Sequence, residues 1–295
     1  MYDTPLPLFE SQGQENGFFS YELPLDEKLL LNVAGGTKKG IEHADGVNDD
    51  SYLAMGSLLA IADGVGGMYR GDIASRVVSE CLALYGQRNT ATLSDKARKN
   101  ALIHYLLTQP DIPKAKVLNI QNSLNHLTKR ISQGQGIDAL CSGKVASART
   151  ILKKLCPGKS KEMDTTIVAA EFRDGKIFWY HQGDSCLAYI PLDQPYLALA
   201  LPDTLVTSLV ATVSLPVQER EVQSQPLQEG DTYVLFSDAL LREGRAREFL
   251  PLIPALYQQA PSGMEVPFAA WRLIQEAWKG GDDTTIILAR IEKRK

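Results

Sequence analysis

Acidic residues stand at the ends of apolar runs at four separate places in this chain. Asp63 closes "LLAIA" (58–62), and Asp238 follows "TYVLFS" (232–237). Asp49 and Asp50 precede "SYLAM" (51–55), and Asp282 and Asp283 precede "TTIILARI" (284–291). Short apolar runs of this kind fold as strands, and their ends carry such acids out of the core. Carboxylates crowded together without compensation repel, and burying each one costs several kcal/mol. A hard divalent cation removes that repulsion, and Mg²⁺ or Mn²⁺ takes oxygen ligands while keeping several waters. Gly64, Gly66 and Gly67, just beyond Asp63, let a backbone carbonyl come close to such an ion. Taken singly, each Asp also reads as a solvated turn former or a helix cap. The metal reading rests on all four places together, and spacing alone does not bring them to one point.

Other chemistries lack their residues. "DGVGG" between a strand and a helix has the outline of a dinucleotide-binding loop, but Tyr69 occupies the position of that fingerprint's third glycine. There is no GxSxG elbow, no cysteine-based phosphatase loop and no Walker glycine–lysine signature. His43, His104, His126 and His181 have no HExxH or triad context, and only His181, on a strand beside Gly183, falls near a candidate site. Cys81, Cys141, Cys156 and Cys186 are scattered without paired-ligand spacing, which argues against a zinc ribbon or disulfide framework and for reduced, cytoplasmic thiols.

Residues 1–27 are rich in Pro, Gln and Glu and read as a loosely attached leader before a single domain at 28–295. Strand signals cluster at 29–36, 51–55 and 58–62. From Asp72, a candidate N-cap, Ile73, Val77, Val78, Cys81, Leu82 and Tyr85 repeat at helical spacing. A helical and loop segment follows at about 92–160. Strands return at 165–172, 176–183 and 185–192, the first two joined by Asp174-Gly175, a two-residue hairpin signal. After "TYVLFSDAL" come two helical segments, around 242–259 and 267–278, in which Trp271 and Trp278 read as core-facing anchors. Strands in two groups with helices between and after them predict packed sheets covered by helices. A net charge of −4 and a pI near 5.7 argue against a nucleic-acid binder. No apolar run is long enough for a membrane helix, and the first residues do not read as a secretory signal.

Six stretches together carry a resemblance: "NDDSY", "LLAIADGVGG", "MDTTIVAA", "WYHQGDSCLAYI", "GDTYVLFSDAL" and "DDTTIILARI". In this order, from about residue 31 to 291, they resemble the motif set of the metal-dependent protein phosphatases, the type-2C (PPM) Ser/Thr phosphatases. The resemblance implies an α+β fold, a four-layer α-β-β-α sandwich of two mainly antiparallel sheets flanked by helices. It implies a site for two Mg²⁺ or Mn²⁺ ions, hydrolysis of phosphoserine and phosphothreonine, a phosphoprotein as substrate and a monomer. By position, Asp63 resembles the acid that bridges both ions, with Gly64 offering its carbonyl. Asp49 and Asp50 match the first acidic pair, Asp238 the third-motif acid and Asp282 the terminal metal acid. Asp283 falls on the usual Asn, placed to support the ligands. Asp184 resembles the acid of a third, weaker metal position, and Thr165-Thr166 are expected to pack and hydrogen-bond.

The match also has gaps. The arginine that the family usually places a few residues before its first acidic pair is missing, and Lys38, Lys39 and His43 are the candidates to hold the substrate phosphate in its stead. Ala239 and Asp164 stand where the family has glycine, which is tolerable if the backbone there keeps negative φ. Cys186 replaces the usual Arg after Gly-Asp-Ser. Two other readings compete: a catalytically weak phosphatase-like regulatory or partner-binding domain, and hydrolysis of a small phosphorylated molecule.

Overall fold

A computed structural model describes residues 16–41, 47–65, 70–86, 95–131, 137, 146–157, 163–192, 197–200, 222–241, 245–279 and 281–294. Strands β1 (Asn16–Pro24), β2 (Leu29–Lys38), β11 (Thr284–Lys293), β10 (Thr232–Phe236), β7 (Cys186–Ile190) and β8 (Leu197–Ala200) form one sheet in that spatial order. The second sheet runs β3 (Asp50–Met55), β4 (Leu58–Asp63), β5 (Ile167–Arg173), β6 (Lys176–Gln182) and β9 (Gln223–Pro226). Every pairing in both sheets is antiparallel.

Side-chain alternation along the strands explains the layers. In β4, Leu59 and Ile61 face the other sheet, where they share a core with Tyr52, Val168, Leu235 and Ile287. Their neighbours Leu58, Ala60 and Ala62 face the opposite way, toward helices α1 (Gly71–Gly86), α2 (Asp95–Thr108), α3 (Lys114–Ile131) and α4 (Ala146–Leu155). In β11, Ile287, Ala289 and Ile291 point inward, while Ile286 and Leu288 meet Ala246 of α5 (Arg245–Phe249), Ile253 of α6 (Ile253–Gln259) and Leu273 of α7 (Glu265–Trp278). Both faces of each sheet are therefore covered, which is why these strands read as unbroken apolar runs. The result is the expected α-β-β-α sandwich.

Three local expectations need correcting. Residues 16–24 are not a loose leader: they form β1, an edge strand paired with β2 along its whole length, and Phe19 stacks on Tyr52 at 5.0 Å between ring centroids. Phe19, Tyr21 and Leu23 alternate toward the inter-sheet core, a period-two signal that the polar composition obscured. Asp72 lies within the first turn of α1, where its carboxylate pairs with the Arg70 guanidinium at 2.8 Å. Trp271 is exposed, because it falls on the solvent side of α7. The Asp174-Gly175 hairpin forms as expected, joining β5 to β6 with φ of 51° and 68°, the left-handed pair that such a two-residue turn requires.

Candidate active site

The ends of four strands build the site. Antiparallel pairing of β3 with β4 sets Asp50 directly opposite Asp63. The Asp63 carbonyl accepts hydrogen bonds from the Thr166 N–H at 2.8 Å and the Thr165 hydroxyl at 2.7 Å, so the two threonines brace the strand end. Gly64 bridges to Thr165, and its N–H donates to the Asp49 carbonyl at 3.1 Å. A Cβ on Gly64 would lie 2.5 Å from the carbonyl carbon of Gly71 at the start of α1, so only glycine fits there.

The other sheet contributes through Ser237 and Thr285. The Ser237 N–H donates to the Thr285 carbonyl, and the Ser237 hydroxyl accepts the Thr285 N–H at 3.0 Å. This closes the end of β10 onto the start of β11 and brings Asp238 beside Asp282 and Asp283. Asp283 then joins two further segments. One of its oxygens accepts the Gly40 N–H and the other the Asp49 N–H, both at 2.7 Å. Asn48 completes the frame: its side-chain Oδ1 accepts the Asp50 N–H, and its side-chain Nδ2 donates to the Thr37 hydroxyl, which also accepts from the Thr285 hydroxyl.

Electrostatics shows how closely the acids lie. Burial pushes the Asp63 carboxyl well above the ordinary range, and Asp50, Asp238, Asp184 and Asp282 push it further. Burial does the same to Asp50, with Asp283 next; hydrogen bonds from Thr285 and Ser237 oppose the shift. Asp184 is also raised by burial, and His181 counters the effect of Asp282 upon it. Six carboxylates from two sheets therefore act on one another. Two of their buried oxygens, Oδ2 of Asp50 and Oδ1 of Asp184, have no hydrogen-bond partner. Among the described residues no three His, Cys, Asp or Glu side chains close on one point as a ready-made cage. An all-oxygen donor set with orphaned buried oxygens and no complete protein cage fits an ion that keeps much of its water, as Mg²⁺ does.

The phosphate-binding candidates fare differently. Thr37 faces the site, so strand alternation turns Lys38 to the outer face. There its ammonium donates to Gln275 at 3.1 Å and lies 3.3 Å from the ring centroid of Trp278, both on α7. Lys38 thus packs on α7, which speaks against a role for its ammonium in holding phosphate. The Lys39 carbonyl accepts the Trp278 indole N–H at 2.8 Å. His43 lies outside the described residues. Ala239 sits buried in a short 3₁₀ turn (Asp238–Leu240), and neither it nor Asp164 has positive φ, so the family glycines are not needed at these positions. Cys186 is buried, and its thiol donates to the Asp184 carbonyl at 3.3 Å. The supporting roles of Thr37, Asn48, Ser237 and Thr285 escaped sequence reading, because a polar side chain near an acid gives no sign of partners that lie up to 248 residues away.

The sequence model of protein phosphatase 2C matches residues 39–260. The chain belongs to the protein phosphatase 2C family. The class of activity expected from the motifs, metal-dependent dephosphorylation of Ser/Thr phosphoproteins, is that family's. No curated protein matches the chain by sequence. Among solved structures it is similar to the catalytic domain of the Ser/Thr phosphatase PstP in complex with two manganese ions, at 23% identity and a TM-score of 0.58, covering 90% of this chain and 99% of that one. It is also similar to the Mycobacterium tuberculosis phosphatase PstP/Ppp (22% identity, TM-score 0.57, 89% and 99% covered). A third likeness is to PppA, a regulatory component of type VI secretion in Pseudomonas aeruginosa (19%, 0.52, 92% and 100%).

Proposed function

We propose that this protein phosphatase 2C relative removes phosphate from phosphoserine and phosphothreonine in proteins, with Mg²⁺ or Mn²⁺ held by Asp63, Asp238, Asp282 and the pair Asp49-Asp50. The observation that carries the reading is Asp50 paired directly opposite Asp63 with its Oδ2 buried and unsatisfied, in a cluster of acids raised by burial and then by one another's charge. Two such ions, when bound, supply an activated water and neutralise the phosphoryl oxygens. Asp63, opposite Asp50 and central among the acids, would bridge them, and Gly64 would offer its backbone carbonyl. Asp238 and Asp282 approach from the other sheet, and Asp184 is the acid for a third, weaker position. Asp283 is occupied by two backbone N–H groups, so it fixes where Asp49 lies and is not itself a ligand. With Lys38 turned outward, Lys39 and His43 remain as side chains to contact the phosphate.

We further place the protein in the cytoplasm as a monomer. Cys81 and Cys186 are free thiols, and the exposed large apolar residues Phe18 on β1, Leu118 on α3 and Trp271 on α7 fall on separate elements. No helix among the described residues is long and apolar enough to cross a membrane. The test is phosphate release from a phosphothreonine peptide and from p-nitrophenyl phosphate, with and without Mn²⁺, beside a Mn²⁺-binding isotherm. Saturable Mn²⁺ binding and release that stops in EDTA are expected. Full activity in excess EDTA would refute the proposal.

A further inference from the structure

The charge of this chain is unevenly divided. Residues 95–161 carry thirteen Lys and Arg against three Asp and Glu, a net of +10, while the rest of the chain carries −14. The basic stretch contains α2, α3 and α4, which cover the five-stranded sheet. The helices over the other sheet show no such bias: residues 245–279 hold four basic and three acidic residues. Solubility alone would not load one helical layer and spare the other.

We propose that the solvent face of α3 and α4 is a docking surface for acidic, phosphorylated protein segments, and so selects the substrates of the neighbouring site; this rests on the phosphatase reading above. Both helices are amphipathic. Val117, Ile120 and Leu124 of α3, with Ile151, Leu152 and Leu155 of α4, face the core, while Lys114, Lys153 and Lys154 are exposed and Lys116 is half-buried. The Lys154 ammonium donates to the Ser123 hydroxyl at 2.5 Å, which joins the two helices into one continuous face. Leu118, one helical turn beyond Lys114, is 56% exposed and offers an apolar contact within the basic field.

The location also fits. Arg70, seven residues after Asp63, pairs with Asp72 of α1 and with Asp111, three residues before α3; its guanidinium also reaches Gln109. The basic face therefore begins at the segment tied to the strand end that carries Asp63. A phosphorylated residue brings nearly two negative charges, and its acidic neighbours add more. The rest of this surface repels such a segment, so the basic layer concentrates it and orients its approach. Nucleic acid is the less favoured occupant. Tyr105 is the single aromatic residue between positions 95 and 161, and it is buried, so the face has no stacking platform for bases.

The experiment compares wild type with Lys114→Glu/Lys116→Glu/Lys153→Glu, and with a milder triple Lys→Gln variant in case the reversals impair folding. Lys279→Glu, exposed on the opposite layer, is the control. Steady-state constants are measured on phosphocasein, an acidic phosphoprotein, and on p-nitrophenyl phosphate, which is too small to reach the helices. For the triple reversal, kcat/KM on phosphocasein is expected to fall roughly tenfold through KM, with a flatter dependence on salt. The same constant on p-nitrophenyl phosphate should stay within about twofold, and Lys279→Glu should change neither. Anisotropy of fluorescein-labelled phosphocasein in EDTA needs no turnover, so it tests docking even if wild type releases no phosphate. An unchanged phosphocasein KM and affinity, or equal losses on both substrates, would overturn the proposal. So would loss of affinity for a labelled single-stranded RNA with phosphocasein binding intact.

Discussion

Strand β10 spans Thr232 to Phe236, with Asp231 just before it and Asp238 two residues after it. Both ends of this strand therefore carry acids in buried surroundings, but their partners differ. Asp231 receives the Tyr189 hydroxyl at 2.8 Å, the Gln228 N–H at 2.9 Å and the Tyr233 hydroxyl at 3.3 Å. Burial raises its carboxyl, and those donors counter the rise. At the other end burial also raises the acids, but there the next influence on Asp50 is Asp283, and those on Asp63 are Asp50 and Asp238. One end is a structural acid satisfied by neutral donors, and at the other the acids act chiefly on one another. Burial alone does not mark a functional carboxylate; the kind of neighbour does.

The sharpest way to break this contrast is Asp63→Asn. An amide cannot bridge two cations, so phosphate release should fall by about a thousandfold, consistent with the several kcal/mol that metal-centred stabilisation contributes. The metal-free variant should nonetheless melt no lower than wild type, because one repelling charge has gone. A clear drop in Tm would mean that Asp63 is structural, like Asp231. Asp283→Asn comes next in size. Two N–H groups on two separate oxygens require a carboxylate, since an amide accepts on one side only and sets donor against donor on the other. Mn²⁺ affinity read from a binding isotherm should fall roughly 10- to 100-fold, the usual scale for groups that orient ligands.

At the opposite end, Asp231→Ala should leave kcat and KM unchanged. It strands two hydroxyls and an N–H, which costs about 2 kcal/mol, or a Tm lower by about 5 °C. Acidity separates the ends further. The folded Asp231 carboxyl titrates above its unfolded value. Its contribution to stability is therefore full below the unfolded pKa, near 4, and declines as pH rises through the folded value. Wild type should lose stability relative to Asp231→Asn across that interval in urea titrations, and a constant difference would argue that the shift is absent. Lys38→Ala is the smallest change: with its ammonium over Trp278 on the outer face, kcat/KM should stay within about twofold.

Much of the site's frame was legible because the strands that carry it are buried on both faces. β4, β10 and β11 read as apolar runs with terminal acids, and antiparallel pairing does the rest. The side on which Lys38 lies was also readable in principle, by counting alternation from Thr37, but only once β2 was known to continue to residue 38. β8 and β9 were missed: "LALA" and "QSQP" are four residues each, and β9 lies mostly exposed at a sheet edge, where no apolar face is demanded of it. The contact of Asp283 with Gly40 and Asp49 spans more than 230 residues, and no local pattern encodes a partner that distant.

The pairing of β2 with β11 also orders events during synthesis. Residues 29–38 emerge from the ribosome early but find their neighbour only when residues 284–293 are made. Until then the middle of the six-stranded sheet is open, β1 and β2 form at most a detached ribbon, and the acids at 282 and 283 do not yet exist. Closing so long a loop is slow, and the waiting edge of β2 is a template for pairing with other chains. A nascent chain released before residue 284 would therefore be inactive and prone to aggregate, so catalytic competence and escape from misassembly arrive together with the same final strand.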